Sequence, residues 1–322
     1  MKKAVFLFLA LTLSALPIIS SAEPTKIRIG WQIPWAVQGQ LKHSLANTDI
    51  PANNGLAIEW KGAIYGPDLN IMALAGDLDV VLTGDQPGLM LLFKEPGKWQ
   101  IIGRLMYNRT VTYVPVNSPI KSLLDLKGKT EGLPIAASVE MNSKEALQKA
   151  GVNLKDVQIV NLGVPEQGPL VMSVKNPSAV TKWGNYDALA AFDILPAVLV
   201  TNGYARELEV SQVVSLIIAN KEFLDKNLGA KVKIINAFAD GYDYYRQNVK
   251  QANNWFMTEA KIKGISHEAC DKAASLEPNL KAKNKKDIRM TLNDEDIARL
   301  QRVAEFLGKK NVDIKTFIRE GE

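Results

Sequence analysis

One cysteine, Cys270, and two histidines, His43 and His267, make up the chain's whole supply of thiol and imidazole. A single cysteine forms neither an intrachain disulfide framework nor a Cys-based zinc site. The two histidines lie far apart in sequence and offer little for metal binding or acid–base work. A Ser-His-Asp triad would have to recruit one of them. His267 stands between Ser266 and Glu268 in a polar helical stretch, and His43 follows the loop after the first strand; both are expected at the surface. Lys127-Gly128-Lys129-Thr130 ends like a phosphate loop, but such a loop needs glycine where Leu123 stands and should follow a strand. Neither Gly-x-Ser-x-Gly nor His-Glu-x-x-His occurs. Asp77 and Asp79 read more simply as a solvated turn than as an acid–base pair. The inventory argues against an enzyme, and no metal or cofactor is expected.

The remaining composition is that of a globular protein, with 47% hydrophobic and 23% charged residues in 322. That length suggests two domains. The 39 Lys+Arg and 34 Asp+Glu are interspersed, giving a net charge of +5 without a basic stripe, so no nucleic-acid partner is expected. Residues 1–22 read as a signal peptide: Lys2 and Lys3, an apolar run from Ala4 to Ile19, then Ser20-Ser21-Ala22 at the cleavage point. The apolar run is too short for a spanning helix, and no cysteine at the cleavage point invites a lipid anchor. An exported, periplasmic protein cleaved near Ala22 is expected. Loss of Lys2 and Lys3 lowers the net charge from +5 to +3.

What must position any binding groups is an alternation of strands and helices. Lys26–Gly30, Leu56–Trp60 and Asp79–Thr83 read as strands, each followed by a loop, with helices over Leu69–Ala75 and from Pro87 to Leu92. Gly76 is a natural helix stop, and Pro87 suits a first helical turn. The pattern restarts after Val111. Thr112–Val116, Thr130–Ile135, Val157–Leu162 and Ala188–Phe192 are expected strands, and Ser122–Gly128 a short helix. Asn142 with Glu145 predicts a capped helix start. From Lys221 onward the chain reads mostly as helices, with a polar loop over Asn279–Lys286. Such a series predicts parallel sheets covered by helices.

In open α/β sheets ligands sit beyond the C-terminal ends of strands, where helix N-termini direct free N–H groups at an anion. Four segments qualify: Trp31-Gln32-Ile33-Pro34-Trp35 with Gln38, Thr83-Gly84-Asp85-Gln86-Pro87, Ala136-Ala137-Ser138, and Phe192-Asp193. Taken singly, Trp31 and Trp35 could be packing residues, Thr83 and Ser138 helix caps, and Asp193 a surface turn.

At these residues the chain resembles the substrate-binding proteins of ABC importers for aliphatic sulfonates, taurine and nitrate, a family that also holds binders of thiamine pyrimidine precursors. The resemblance rests on Gly30-Trp31-Gln32, on Ala73-Leu74-Ala75-Gly76-Asp77-Leu78-Asp79, and on Thr83-Gly84-Asp85-Gln86-Pro87. Ser122 to Lys129, Ala150 to Val157 and Phe192-Asp193 extend it in order. Thr-Gly-Asp-x-Pro after the third strand leans toward the sulfonate branch. The chain departs from the pattern at Ile33-Pro34-Trp35, at Ala137 before Ser138, and in extra sequence between Gly168 and Asp187.

The resemblance implies an α/β periplasmic-binding-protein fold of type II: two α/β lobes joined by a two-crossing hinge. Residues 23–111 with 219–322 would form lobe one and residues 112–218 lobe two, with the crossings near 111 and 218. It implies a monomeric solute receptor handing a small organic anion to a membrane permease. Thr83, Gly84 and Asp85 would bond the ligand from lobe one and Ser138 from lobe two. Trp31, Trp35 and Phe192 would cover its apolar part, with Gln32 and Gln38 in the same loop. Asp85 and Asp193 are awkward beside an anion; they would cap helices, or accept from an amine or hydroxyl of the ligand. A pyrimidine-like heterocycle is the alternative ligand, and an enzyme on the same fold, using a reactive cysteine, the less favoured alternative.

Overall fold

The structure is a computed structural model that describes residues Glu23–Gly321; the signal peptide expected at 1–22 lies outside them. Eight strands form one sheet: β1 Thr25–Gln32, β2 Leu56–Ala63, β3 Val80–Gly84, β4 Trp99–Pro115, β5 Thr130–Leu133, β6 Gln158–Asn161, β7 Ala188–Phe192 and β8 Ala205–Asn220. Their order is β2-β1-β3-β8-β4-β7-β5-β6. The pairs at either end are parallel: β1 with β2 and β3, and β5 with β6 and β7. Between these triplets run the two long strands β4 and β8, antiparallel to each other and to their neighbours. The βαβ alternation read from the sequence accounts for both triplets.

The helices between strands are α1 Gln38–Ala46, α2 Ile50–Asn53, α3 Gly66–Leu74, α4 Asp85–Lys94, α5 Ser138–Lys149, α6 Val164–Met172 and α7 Leu195–Thr201. After β8 come α8 Lys221–Lys226, α9 Ala230–Gln247, α10 Val249–Glu259, α11 His267–Ala273 and α12 Asp294–Phe306. The helical character of the C-terminal third is as the sequence suggested. The expected loop at 279–286 holds two short 3-10 turns.

Where the pattern was expected to restart, at Val111 and Thr112, one strand runs unbroken for 17 residues. All of β4 except Gln100 is buried, on both faces, so it shows none of the polar–apolar alternation that announces a strand. β3 pairs with β8 over Ser215–Ala219, whereas β7 pairs with β4 over Thr110–Tyr113. Residues 111 and 218 thus lie inside the two strands that link the halves of the sheet. Register shifts in β4 at Ile101/Gly103, Arg104/Met106 and Thr112/Tyr113 mark bulges, which bend and twist a strand locally.

Two local expectations are corrected. Asn142 does not start a helix. α5 begins at Ser138 after Ala137, and Asn142 is buried one turn inside it, where its amide bonds tertiary partners instead of capping. His43 is not at the surface. α9 and α10 pack on α1 and bury it from Gln38 to Leu45, leaving His43 3% exposed. Covering helices that arrive some two hundred residues later are invisible to the local pattern around His43.

Candidate functional site

Each parallel strand ends in a short loop that feeds a helix. β1 leads to α1, β3 to α4, β5 to α5 and β7 to α7, so the four segments singled out in the sequence meet at the middle of the molecule. They enclose a cavity of about 20 Å³ lined by Gln32, Trp35, Gly66, Gly84, Pro87, Thr110, Ala137, Ser138, Val139, Phe192 and Val213. That is room for about one water. Among the ten expected site residues the structure brings Gln32, Trp35, Gly84, Ser138 and Phe192 to this wall. Thr83 stands directly behind it: a Cβ added at Gly66 would lie 2.6 Å from its Oγ1.

The other four lie elsewhere, for physical reasons. Trp31 packs edge-on to His43, ring centroids 5.8 Å apart, with Lys42 Nζ 4.7 Å from its ring, on the far side of β1 from the cavity. Gln38 holds the β1–α1 loop: its Oε1 accepts from the Gln32 N–H at 2.5 Å and its amide donates to the Leu82 carbonyl at 3.3 Å. Asp85 opens α4 and accepts from the Gln86 N–H at 2.8 Å, while Arg299 Nε donates to its other oxygen at 3.0 Å. Asp193 accepts from the Ala197 N–H at 2.8 Å and faces Arg109 Nε at 3.4 Å. Complete burial pushes the Asp193 carboxyl up to about 6, with Arg109 pulling the other way. Both acids, awkward as ligand groups, are helix-end residues paired with an arginine.

The cavity wall carries no charged side chain, and three polar groups on residues in or directly behind it are unpaired. Gln32 Nε2, Trp35 Nε1 and Thr83 Oγ1 are all buried without a hydrogen-bond partner in the protein. Leaving such a group unmet costs about 1–3 kcal/mol, so three together call for an acceptor. The N-termini of α4 and α5 add backbone dipoles that favour negative charge. Ser138 Oγ accepts weakly from the Gln86 N–H at 3.3 Å and can donate into the cavity. Trp35 and Phe192 form an edge-to-face pair at 5.8 Å, with Tyr65 against Phe192 at 6.2 Å. The loops are strained: Val37 and Ala136, neither a glycine, adopt φ of 69° and 63°, a conformation found where surrounding structure imposes it, often at binding sites.

The two halves of the sheet touch across the cavity. Tyr65, before α3, accepts from the Val164 N–H at the start of α6 at 2.5 Å, and Gln86 donates to Glu140 Oε2 at 3.3 Å. A Cβ at Gly84 would stand 2.5 Å from Ser138 Oγ, so only glycine permits this approach. Tyr65, Gly66 and the β6–α6 loop were not singled out from the sequence, although Tyr65-Gly66-Pro67 after a strand is the same signal as the other four segments. Thr110 and Val213 could not be found that way, because they sit mid-strand in β4 and β8.

Cys270 is 1% exposed in α11, packed with Ala36, Ile194 and Phe256. Burial pushes its thiol up to about 12, which leaves little thiolate near neutrality. Among the described residues no group of three or more His, Cys, Asp or Glu could hold a metal ion, and no helix is long and apolar enough to cross a membrane.

The profile of the NMT1/THI5 like family matches residues 72–252, more than half of the sequence. The chain belongs to that family. A Brucella abortus (strain 2308) protein described only as a binding protein is 26% identical over 255 residues, 78% of this chain and 77% of its own. An Escherichia coli (strain K12) protein named for binding aliphatic sulfonates is 25% identical over 236 residues, 67% of this chain and 66% of its own. Among solved structures, the alkanesulfonate-binding protein SsuA of Xanthomonas axonopodis pv. citri, bound to MOPS, superposes with a TM-score of 0.72 at 17% identity, covering 94% of this chain and 100% of that one. The periplasmic aliphatic sulphonate binding protein SsuA of Escherichia coli gives 0.71 at 22%, over 92% and 97%. The desulfurization enzyme DszB has the fold as well, at 0.63 and 16%, over 91% and 96%. The α/β periplasmic-binding-protein fold expected from the sequence is therefore the fold of this chain.

Proposed function

We propose that the chain is the solute receptor of an ABC importer, exported to the periplasm, and that it captures a small organic anion with a sulfonate-like head for delivery to a membrane permease. The observation that carries this reading is the set of three buried, unpartnered donors, Gln32 Nε2, Trp35 Nε1 and Thr83 Oγ1, beside two helix N-termini. An oxyanion accepts from several directions at once and suits them. Trp35 and Phe192 would cover the organic part. The names of the E. coli and Xanthomonas relatives support the same ligand class. Cys270, buried and protonated, suits binding without turnover.

Because the cavity holds about one water, the ligand must enter with the halves further apart. We place the hinge in β4 and β8, the only strands shared by both lobes among the described residues, with lobe one as 23–111 plus 219–322 and lobe two as 112–218. Ligand that touches both lobes favours the closed form.

A second reading has its own support: the Trp35–Phe192 pair could hold a pyrimidine-like ring, in keeping with the family's wider membership. A thermal-shift panel separates the two. Saturating ligand, at a hundred times its dissociation constant, adds about 2.7 kcal/mol. In a chain of this size that raises the melting temperature by about 4 °C. Alkanesulfonates are expected to give that shift and inorganic sulfate or nitrate a smaller one. Shifts with pyrimidines alone would overturn the anion reading.

A further inference from the structure

Asp85 poses a problem for an anion receptor. It is fully buried at the first residue of α4, one position after the cavity-lining Gly84, and its Oδ1 shares the Gln86 N–H with Ser138 Oγ. An uncompensated carboxylate there would repel the anion that the helix end is built to attract. The compensation comes from outside the matched family segment. Arg299, on α12 and 9% exposed, donates from Nε to Asp85 Oδ2 at 3.0 Å. The same guanidinium reaches the other half of the sheet: Nη1 donates to Glu145 Oε2 at 3.3 Å and Nη2 to Asn142 Oδ1, both on α5. Asn142 in turn donates to Thr110 Oγ1 at 2.6 Å, and Thr110 lines the cavity.

We infer that Arg299 is a positioning residue for the anion site: it neutralises Asp85 at the start of α4 and ties α4 to α5, the two helices whose N-termini face the ligand. It touches no cavity atom itself. Its planar fork meets three acceptors at once, on α4 and α5, a geometry that a lysine ammonium cannot span. The tie is shared with Gln86, which also joins α4 to α5 through Glu140, so the charge is the part that ligand affinity should report. Removing Arg299 leaves Asp85 as a bare negative charge beside the bound anion, whereas removing both leaves the site neutral again. The inference rests on reading the cleft as an anion site and adds to it the residue that makes Asp85 compatible with that ligand.

The test is titration calorimetry with ethanesulfonate on the full mature protein and three variants, with circular dichroism and melting curves alongside. Arg299→Met should weaken binding on the order of tenfold or more, within the range of ordinary coupling between sites. Arg299→Lys keeps the charge and should stay within about threefold of wild type. The double variant Asp85→Asn/Arg299→Met should recover to within about threefold despite lacking both partners. A merely structural role predicts the reverse: affinity falling in step with melting temperature, and the double variant no better than Arg299→Met. If Arg299→Met does not fold, the other two variants decide; tenfold losses in both overturn the inference. Should wild type bind ethanesulfonate and Arg299→Met bind it equally well, this inference alone fails. Should wild type bind no organic anion, the reading of the cleft fails first and takes the inference with it.

Discussion

The cleft and the outer flank of β1 face opposite ways from one loop, and they divide its two tryptophans. On the cleft side Trp35 lines about 20 Å³ of space and its indole N–H has no partner. On the outer side Trp31 lines a groove of about 480 Å³ with Ile33, Lys42, Trp60 and Glu259. There Lys42 Nζ bonds Glu259 at 3.1 Å and lies over the Trp31 ring. A third hollow, about 600 Å³ between α5, β8 and α12, is likewise laced with ion pairs, among them Arg299–Glu145 at 3.3 Å. The larger hollows are crossed by these ion pairs. The smallest one adjoins three residues, Gln32, Trp35 and Thr83, whose buried polar groups have no partner in the protein. Unmet polar groups, more than volume, single out the small cavity as the candidate site.

The largest expected effect breaks the outer side. His43, packed against Trp31 on that side, is held down to about 4 by burial first and by the neighbouring Lys42 charge second, with Glu259 3.4 Å away opposing them. The folded protein thus keeps His43 neutral where the unfolded chain would protonate it. The resulting stability is whole above the ordinary histidine value of 6.5 and drains away as pH falls toward 4. The loss should approach about 3 kcal/mol, read from melting curves across that window. His43→Gln should flatten this part of the profile without changing ligand binding at neutral pH.

Next comes the cleft's closest approach. Gly84→Ala places a methyl 2.5 Å from Ser138 Oγ and 3.3 Å from the Trp35 ring. The backbone φ of −70° tolerates alanine, so the conflict is between the two halves and not within the strand end. Affinity should fall on the order of a hundredfold, at the upper end of ordinary coupling energies. Solution scattering should show a larger radius of gyration in saturating ligand than for wild type. Gly84→Ala/Ser138→Gly should recover part of both. Equal radii with and without ligand in wild type would argue against a hinge in β4 and β8.

The smallest effect is the sharpest comparison. Trp35→Phe keeps an aromatic wall and deletes one N–H, which should weaken an anionic ligand by about tenfold, the ordinary worth of a hydrogen bond to a charged group. Trp31→Phe should leave affinity unchanged, because its ring faces His43 and Lys42. Loss of affinity in Trp31→Phe with none in Trp35→Phe would reverse the assignment of the two faces.

Much of this arrangement was legible in the residue pattern, and the misses share a cause. The strand ends at Gly84 and Phe192 announce themselves locally, through short apolar runs followed by turn residues, whereas α5 starts at Ser138 without a side-chain cap and the local pattern points four residues later, to Asn142. Tyr65, followed by Gly66-Pro67 after a strand, carries the same signal. Trp31 and Trp35 could not be told apart, because the loop at Ile33-Pro34 breaks the two-residue period that decides sides within a strand. Asp85 and Asp193 looked like liabilities because Arg299 lies 214 residues from the first, and Arg109 approaches the second from a strand whose buried faces hide its periodicity.

The sequence by itself determined the alternation of strands and helices, the parallel triplets, the family, and the loops that converge at strand C-termini. These follow from short-range physics: hydrophobic period, capping and turn chemistry act over a few residues and can be read there. Only the tertiary structure decided that β4 and β8 run unbroken through both halves, that Trp35 and not Trp31 faces the cavity, and that His43 is buried. It also decided that Arg299 answers Asp85. Each of those depends on which distant surface covers a residue and which distant charge meets it, and burial and charge pairing are properties of neighbours in space that a one-dimensional pattern does not contain.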